Sequence, residues 1–121
     1  MSRIQAERHG RWAEAVTIIW LVITGHRILA RRWKCRFGEI DIIAKSGDQL
    51  IFIEVKYRQT ATATAFPSKQ QQQRICKAAA YFLKASHLSM ETPCRFDFVL
   101  LQMQPTIQFN YIQHQKHAWS C

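Results

Sequence analysis

The residues best suited to do chemistry lie between positions 38 and 58, in the stretch GEIDIIAKSGDQLIFIEVKYR. Asp41 lies in one apolar run, and Glu54 and Lys56 form a Glu-x-Lys motif in the next. Carboxylate ligands that leave water positions open suit Mg²⁺ or Mn²⁺. Such an ion polarises a phosphate and lowers the pKa of a water, while an adjacent ammonium, here Lys56, orients that water and offsets developing charge. The pattern predicts a metal-dependent phosphodiesterase site.

A β-hairpin has to position these groups. Two β-branched runs, 40–44 and 50–57, flank the turn signal Ser46-Gly47. Side chains alternate across a strand, so Glu54 and Lys56 share one face. If a four-residue turn pairs Ala44 with Gln49, Asp41 lies on the same face, diagonal to Glu54. Backbones at a cross-strand diagonal are roughly 7–8 Å apart, so both carboxylates would reach one ion.

The ordinary interpretation of Glu-x-Lys on a strand is a solvated ion pair. Here Leu50 and Phe52 share the face of Glu54 and Lys56, while the opposite face is more apolar still. A strand that is apolar on both faces is typical of the interior of a sheet, where charges need partners or a metal. Both interpretations stay open on this pattern alone.

The composition fits one domain that acts on a polyanion. With 121 residues, 48% of them hydrophobic, the chain predicts a single domain, 1–121, with a core at about 10–119. Seventeen Lys and Arg against eight Asp and Glu give a net charge of +9. A basic protein surface around an acidic site suits a nucleic-acid substrate. The alternative is a preference for membrane surfaces.

The cysteines at positions 35, 76, 94 and 121 show no C-x-x-C pair and no spacing typical of zinc. We expect four reduced thiols in a cytoplasmic protein, with no small-molecule cofactor.

A first helix is predicted from Gly10, with Trp12, Val16, Ile19 and Ile23 on one stripe against a sheet. Its apolar part is too short to span a bilayer, so no membrane anchor is expected. A membrane-surface or partner-docking role for this stripe is a further alternative. Glu14 either favours the helix dipole near its start or, if the helix points toward the hairpin, joins the site.

The strand that follows carries the densest basic cluster of the chain. We expect these side chains to track phosphates, and Trp33 either to stack on a base or to pack beneath the cluster. A solvated edge strand protected by its charges is the alternative. The basic residues are Arg27, Arg31, Arg32, Lys34 and Arg36.

The rest of the chain predicts a loop, a helix and two strands. The loop 59–68 is expected to be mobile, and Ser68 to cap a helix over 69–85. Strands are expected at 94–103 and 107–112, with Asp97 bonded to an Arg or a backbone amide. The five histidines are expected at the surface. The order is therefore helix, three strands, helix, two strands, an α/β mixed sheet with flanking helices.

Glu14, the GEID motif at 38–41, the EVKYR motif at 54–58 and Arg95-Phe96-Asp97 together resemble the YraN-type family. That family looks like part of the PD-(D/E)XK nuclease superfamily and is similar to archaeal Holliday-junction resolvases, which implies a restriction-endonuclease-like fold. The resemblance implies that Asp41, Glu54 and the backbone carbonyl of Val55 bind Mg²⁺ and that Lys56 positions the attacking water. Glu14 would support a second metal position or a water bound to the metal.

In the same superfamily the second helix begins with a Lys-Gln pair that faces the site. Counting back from the Ala-rich core face puts Gln71 and Gln72 in these places, whereas a two-residue shift puts Lys69 and Gln70 there. Lys69, Gln71 and Gln72, with Arg58 at the end of the EVKYR motif, join the expected nucleic-acid contacts.

The sequence thus predicts a Mg²⁺-dependent endonuclease that hydrolyses DNA, with branched or recombination-intermediate DNA among its substrates and a homodimer as a way to cut two strands. The rival is a non-catalytic nucleic-acid-binding module on a nuclease scaffold.

Overall fold

The computed structural model describes the backbone of residues 3–58, 66–102 and 111–121, and side chains from Gly10 onward within these ranges except Tyr111. The predicted αβββαββ order is confirmed. Its elements are α1 Arg3–Ile23, β1 Arg27–Cys35, β2 Gly38–Ser46, β3 Gln49–Arg58, α2 Lys69–Ala85, β4 Cys94–Gln102 and β5 Tyr111–Trp119.

The five strands form one mixed sheet in the order β1-β2-β3-β4-β5. β3 and β4 are parallel, and the other three neighbouring pairs are antiparallel. Parallel neighbours need a crossover, which α2 provides. α1 and α2 cover opposite faces, giving the restriction-endonuclease-like arrangement that the sequence predicts. β3 is therefore buried on both sides, with Phe52 packing toward α2 and Ile53 toward α1.

The predicted core stripe of α1 is wrong for three of its four residues. Ile19 and Ile23 are 59% and 75% exposed, and Trp12 is 41% exposed, whereas Ala13 and Thr17 are fully buried. Small side chains let the helix backbone approach the sheet closely, and the Thr17 hydroxyl bonds back to the Ala13 carbonyl at 2.7 Å. Of the four residues of the predicted stripe, Trp12, Ile19 and Ile23 face outward and Val16 packs against the core. No helix in the described part of the chain is long and apolar enough to cross a membrane.

The register predicted for the hairpin is also wrong. Ser46 pairs with Gln49, so the turn has two residues rather than four, because Gly47 adopts the left-handed φ of 59° that a tight turn requires. The two-residue slip in pairing brings Asp41 level with Glu54 instead of diagonal to it. Asp41 and Glu54 therefore lie directly across the hairpin from each other, whereas the sequence predicts a diagonal placement.

α2 begins and ends where the sequence predicts. The Ser68 hydroxyl accepts a hydrogen bond from the Gln71 N–H, and the Gln71 side chain accepts one from the Ser68 N–H, which completes a capping box. β4 is described as far as Gln102, and Met103, the last residue of the predicted strand, lies outside the described residues. The last strand runs to Trp119, well beyond the predicted 107–112; residues 107–110 and most of the predicted mobile loop, 59–65, lie outside the described residues.

The prediction of four reduced thiols is wrong for two of them. Cys76 on α2 and Cys121 form a disulfide with a Cα–Cα distance of 5.7 Å, because β5 returns the C-terminal residues to the side of α2. Forty-five residues separate the two cysteines along the chain, so their proximity depends on the whole sheet. Cys35 and Cys94 are free and half-buried.

Asp97 is fully buried and bonded as predicted to an Arg and to a backbone amide. Arg95 donates two hydrogen bonds, at 2.7 and 2.8 Å, and the His117 N–H donates a third at 3.0 Å. His114 Nε2 lies 2.7 Å from the same carboxylate, and its Nδ1 accepts from the Trp20 indole at 3.1 Å. This network ties β4 and β5 to α1.

The expected surface position of the histidines is therefore wrong for His114, whose side chain is 6% exposed, and for His26, which is equally buried. His26 Nδ1 lies 3.1 Å from the Leu21 carbonyl at the end of α1. Burial lowers the pKa of His26, so the neutral imidazole is favoured there.

Candidate active site

Asp41 lies where the pairing between β2 and β3 stops. The last paired residues are Ile42 and Ile53, and at the next position the Asp41 Oδ2 accepts a hydrogen bond from the backbone N–H of Val55 at 2.8 Å. The carboxylate thus takes the place that a backbone carbonyl would occupy in a continued ladder. This bond holds Asp41 beside Glu54, at the open end of the hairpin.

The pKa values of Asp41 and Glu54 are both raised, first of all by burial. Burial, followed by the neighbouring Glu54 carboxylate, raises the pKa of Asp41 to about 8. Burial also raises the pKa of Glu54, against the opposing effect of Lys56. Lys56 Nζ lies 3.4 Å from Glu54 Oε1. One ammonium thus accompanies two partly buried carboxylates, and a divalent cation would neutralise their excess negative charge.

Glu14 points at the same end of the sheet. α1 begins at Arg3, so Glu14 lies in mid-helix and the interpretation as a helix-start acid is wrong. Its carboxylate accepts a hydrogen bond from Arg32 Nε at 2.7 Å, and it lines an open pocket together with Glu39 and Asp41. Arg32 has a left-handed φ of 49°, a conformation that non-glycine residues adopt at a cost. The residue of β1 that binds Glu14 thus departs from regular strand geometry.

A second pocket, of about 140 Å³, lies between the start of β2 and α2. Glu39 and Glu54 line one side, and Gln71 and Arg74 the other. The structure therefore places Gln71 at the site. Lys69 instead lines a different pocket, beside the disulfide.

Gln72, the other half of the expected pair, bonds away from the site. Its side-chain amide donates to the Pro67 carbonyl at 2.9 Å. Only one residue of the predicted Gln71-Gln72 pair therefore lines the pocket of Glu39 and Glu54.

The predicted phosphate contacts divide into exposed and engaged side chains. Arg27, Arg31 and Lys34 are exposed along β1, and Arg36 is exposed at the turn that follows. Arg58 donates to the Tyr57 carbonyl at 3.0 Å. Arg32, committed to Glu14, belongs to the site rather than to a phosphate track.

Trp33 packs beneath this cluster, which was one of its two predicted positions. Its ring lies edge-to-face with Phe82 at 5.2 Å and 6.0 Å from Tyr81, so it joins β1 to α2.

Two residues at the site were not among those predicted. Glu39 lines both pockets. It belongs to the GEID motif, two residues before Asp41, and this position in the sequence indicates a residue of the site. Arg74 lies three residues after Gln71, which puts both on one face of a helix. A site that includes Gln71 rather than Lys69 therefore also predicts Arg74.

The donor set fits a hard cation. Asp41 and Glu54 supply carboxylate oxygens, and Mg²⁺ commonly binds through one or two carboxylates plus waters. The N–H and C=O of one strand residue point to the same neighbour, so the Val55 carbonyl faces the Asp41 side. Within residues 10–58, 66–102 and 112–121, no three His, Cys, Asp or Glu side chains already form a metal-ligand group.

Fold and site together define a small mixed-sheet α/β protein with an acid, acid-x-lysine cluster at the end of its central hairpin. The chain matches the family described as "Uncharacterised protein family UPF0102" over residues 13–101 and belongs to it. The matched range contains Glu14, Asp41, Glu54 and Lys56. The predicted YraN-type resemblance is thereby confirmed.

Relatives at both partial and nearly full length carry the same family name. A UPF0102 protein of Lachnoclostridium phytofermentans is 47% identical over 81 residues, which cover 64% of this chain and 68% of the relative. One from Stutzerimonas stutzeri is 41% identical over 100 residues, or 80% and 83% of the two chains. One from Maricaulis maris is 38% identical over 119 residues, or 98% and 90%. The similarity thus extends over nearly the whole fold.

Proposed function

We propose that this protein is a Mg²⁺-dependent endonuclease that hydrolyses phosphodiester bonds of DNA in the cytoplasm. The observation that carries the proposal is the group of Asp41, Glu54 and Lys56, two partly buried carboxylates and an ammonium at the open end of one hairpin. The arrangement fits the resemblance of the sequence to the PD-(D/E)XK nucleases, which supports the proposal.

Each residue of the group has a separate task in this proposal. Asp41 and Glu54, with the carbonyl of Val55, would hold Mg²⁺ (or Mn²⁺), and the ion would supply Lewis-acid polarisation of the phosphate and lower the pKa of the attacking water. Lys56 orients that water and offsets the charge that develops on the phosphate oxygens. Glu14, held by Arg32, would support a second metal position or a water bound to the metal.

The surroundings favour a polyanionic substrate. Arg27, Arg31 and Lys34 are exposed along β1, and Arg74 lines the pocket of Glu54. Cations around an acidic centre attract DNA while leaving the metal position negative. Branched or recombination-intermediate DNA is the substrate class that the resemblance to resolvases suggests. Since one domain offers one site, symmetric cutting of two strands would need a homodimer.

A cleavage assay tests this function directly. Purified protein is incubated with single-stranded, duplex and branched DNA, with Mg²⁺, with Mn²⁺ and with EDTA. We expect metal-dependent cleavage of at least one substrate, abolished by Asp41→Asn and by Glu54→Gln. Glu91→Gln, an exposed acid in the loop before β4, is the matched control and should cleave like wild type. DNA left intact under every metal condition would refute the proposal.

A non-catalytic nucleic-acid-binding module is the second candidate. The observation that favours it is the row of exposed cations on β1, which would contact phosphates whether or not the carboxylates bind metal. Binding that weakens steeply with salt, but is unaffected by EDTA or by Asp41→Asn, together with no cleavage, is the expected result for this module.

A further inference from the structure

A groove lined by rings and cations runs beside the candidate active site, along the outer face of α2. It has a volume of about 520 Å³ and lies between the β1–β2 turn and the C-terminal half of the helix. Its lining includes Arg36, Phe37, Lys77, Tyr81 and Lys84. The groove thus combines three cationic side chains with two aromatic rings.

The aromatic rings are held in place from below. Tyr81 is 41% exposed, yet its ring lies 6.2 Å from Phe37 and 6.0 Å from the half-buried Trp33. The Arg36 guanidinium carbon lies 4.9 Å from the centre of the Phe37 ring, within the range of a cation–π contact. One face of the groove is therefore a supported aromatic platform with a guanidinium beside it.

The cations are spaced along the same platform. Lys77, Tyr81 and Lys84 follow one another at i, i+4 and i+7, which places them on one stripe of α2. Both lysines line the groove, one on each side of the tyrosine along the helix. A ligand lying along the stripe would meet positive charge before and after the tyrosine ring.

This groove adjoins the acidic pocket through one residue. Phe37 lines the groove and also lines the pocket that holds Glu39 and Glu54. Gly38, with a φ of 138°, makes the sharp turn that puts Phe37 between the two. A chain bound in the groove would therefore lead toward the carboxylates.

The chemistry of the groove distinguishes between forms of nucleic acid. A duplex keeps its bases stacked inside and offers only phosphates to a protein face of this kind, so exposed rings would have no partner. An unpaired strand offers base faces to the rings and phosphates to the lysines, and base–aromatic stacking tolerates any sequence. Rings alternating with cations are the pattern that such a strand needs.

We propose that the groove of Arg36, Phe37, Lys77, Tyr81 and Lys84 binds an unpaired nucleic-acid strand and leads it to the Asp41–Glu54 site. The proposal rests on the endonuclease function and deepens it: the substrate class is DNA with a single-stranded segment next to the cut, such as a branch or a tail, rather than continuous duplex.

A binding experiment in EDTA tests the groove without cleavage. The probe is a fluorescently labelled oligothymidylate of about 15 nucleotides, compared with a duplex of the same length by anisotropy. We expect Tyr81→Leu, which keeps apolar packing on Trp33, to weaken single-strand binding about tenfold, within the range known for loss of one stacked base. Tyr81→Phe retains the ring and should bind like wild type, and duplex binding should be unchanged in both.

A second pair of variants tests the cations. Lys77→Gln with Lys84→Gln should flatten the dependence of single-strand affinity on salt, by about 0.7 in log–log slope for each phosphate that the protein no longer neutralises. Lys116→Gln, on the opposite edge strand of the sheet, is the matched control.

Two outcomes would contradict the proposed binding of a single strand in the groove. In one, Tyr81→Leu binds the single strand as tightly as wild type; in the other, it weakens single-strand and duplex binding equally. Because EDTA blocks hydrolysis, these results do not depend on the Asp41–Glu54 chemistry. The proposed endonuclease function would fail in a different way: DNA would stay intact in Mg²⁺ and in Mn²⁺ while the protein still bound single strands more tightly than duplex.

Discussion

The carboxylate of Asp41 accepts a hydrogen bond from the backbone N–H of Val55 at 2.8 Å, at the position where the pairing of β2 with β3 ends. This bond holds the Asp41 carboxylate beside Glu54, and its donor is a backbone N–H rather than another side chain. It also means that the candidate ligand helps to end the hairpin ladder, so a substitution there has to preserve an acceptor.

Asp41→Asn should raise the thermal stability of the metal-free protein. The amide oxygen still accepts from Val55, while the buried like charge next to Glu54, which contributes to raising the pKa of Asp41 to about 8, is removed. We expect Tm to rise by about 2–5 °C at a pH of about 8.5 in EDTA, measured by differential scanning fluorimetry. Mg²⁺ should stabilise wild type and not the variant. A lower Tm for Asp41→Asn would contradict this account.

Lys56→Gln should separate metal binding from turnover. Lys56 accompanies Glu54 at 3.4 Å, so its removal leaves more negative charge for a cation, and Mg²⁺ affinity by calorimetry should equal or exceed that of wild type. The cleavage rate should fall about 100-fold or more, as for loss of a group that positions the reacting water. If the variant loses Mg²⁺ binding while it stays folded, Lys56 supports the metal site and has a different role.

Glu14→Gln should affect activity far more than stability. The side chains of Arg32 and Glu14 are 35% and 14% exposed, and ion pairs that are partly accessible to solvent contribute at most about 1 kcal/mol. We expect Tm within about 2 °C of wild type and cleavage at least about tenfold slower. Arg32→Gln serves as the paired variant, because it frees Glu14 without removing it. Equal cleavage by wild type and Glu14→Gln would exclude the acid from the reaction.

Acid should destabilise the fold through Asp97. Burial alone would raise its pKa, but hydrogen bonds from His114, Arg95 and the His117 amide outweigh burial and lower it to about 2. A carboxyl with a lowered folded-state pKa contributes stability that is fully present above its unfolded value of about 4 and is lost as pH falls toward about 2. The free energy of unfolding, measured by urea titration, should fall by roughly 2 kcal/mol between about pH 5 and pH 2. Asp97→Asn, less stable throughout, should show a flatter profile in this window.

Reduction should destabilise the protein through one disulfide. Removing a crosslink such as Cys76–Cys121 typically costs about 2–4 kcal/mol. Urea unfolding with and without dithiothreitol should show that difference in wild type and none in Cys121→Ser. A reductant effect that persists in Cys121→Ser would place the sensitivity elsewhere.

The elements predicted most accurately from the sequence are those specified by local chemistry. Ser68 and Gln71 form a capping box, and a clear apolar face follows, so the bounds of α2 are correct. The hairpin was recognisable from its turn signal, but its register depended on whether Gly47 takes a left-handed conformation in a two-residue turn. That choice moved Asp41 from a diagonal position to one level with Glu54.

Features that depend on tertiary packing were missed for a physical reason. Hydrophobicity alone assigned Trp12 and Ile19 to the core of α1, whereas close approach to the sheet selected the small Ala13 and Thr17. His114 and Asp97 meet only because β5 pairs with β4. The Glu14–Arg32 pair likewise needs α1 to lie across β1, a placement that no local pattern in the sequence encodes.

The parallel pairing of β3 with β4 has a consequence for the order of folding. β2 and β3 are joined by a two-residue turn, so they can associate early, whereas β4 begins at Cys94, far along the chain from the end of β3 at Arg58. Loop closure over such a separation is slow relative to hairpin formation. We therefore expect the two acids to become neighbours while still hydrated, and to be desolvated only when the crossover helix brings β4 into place.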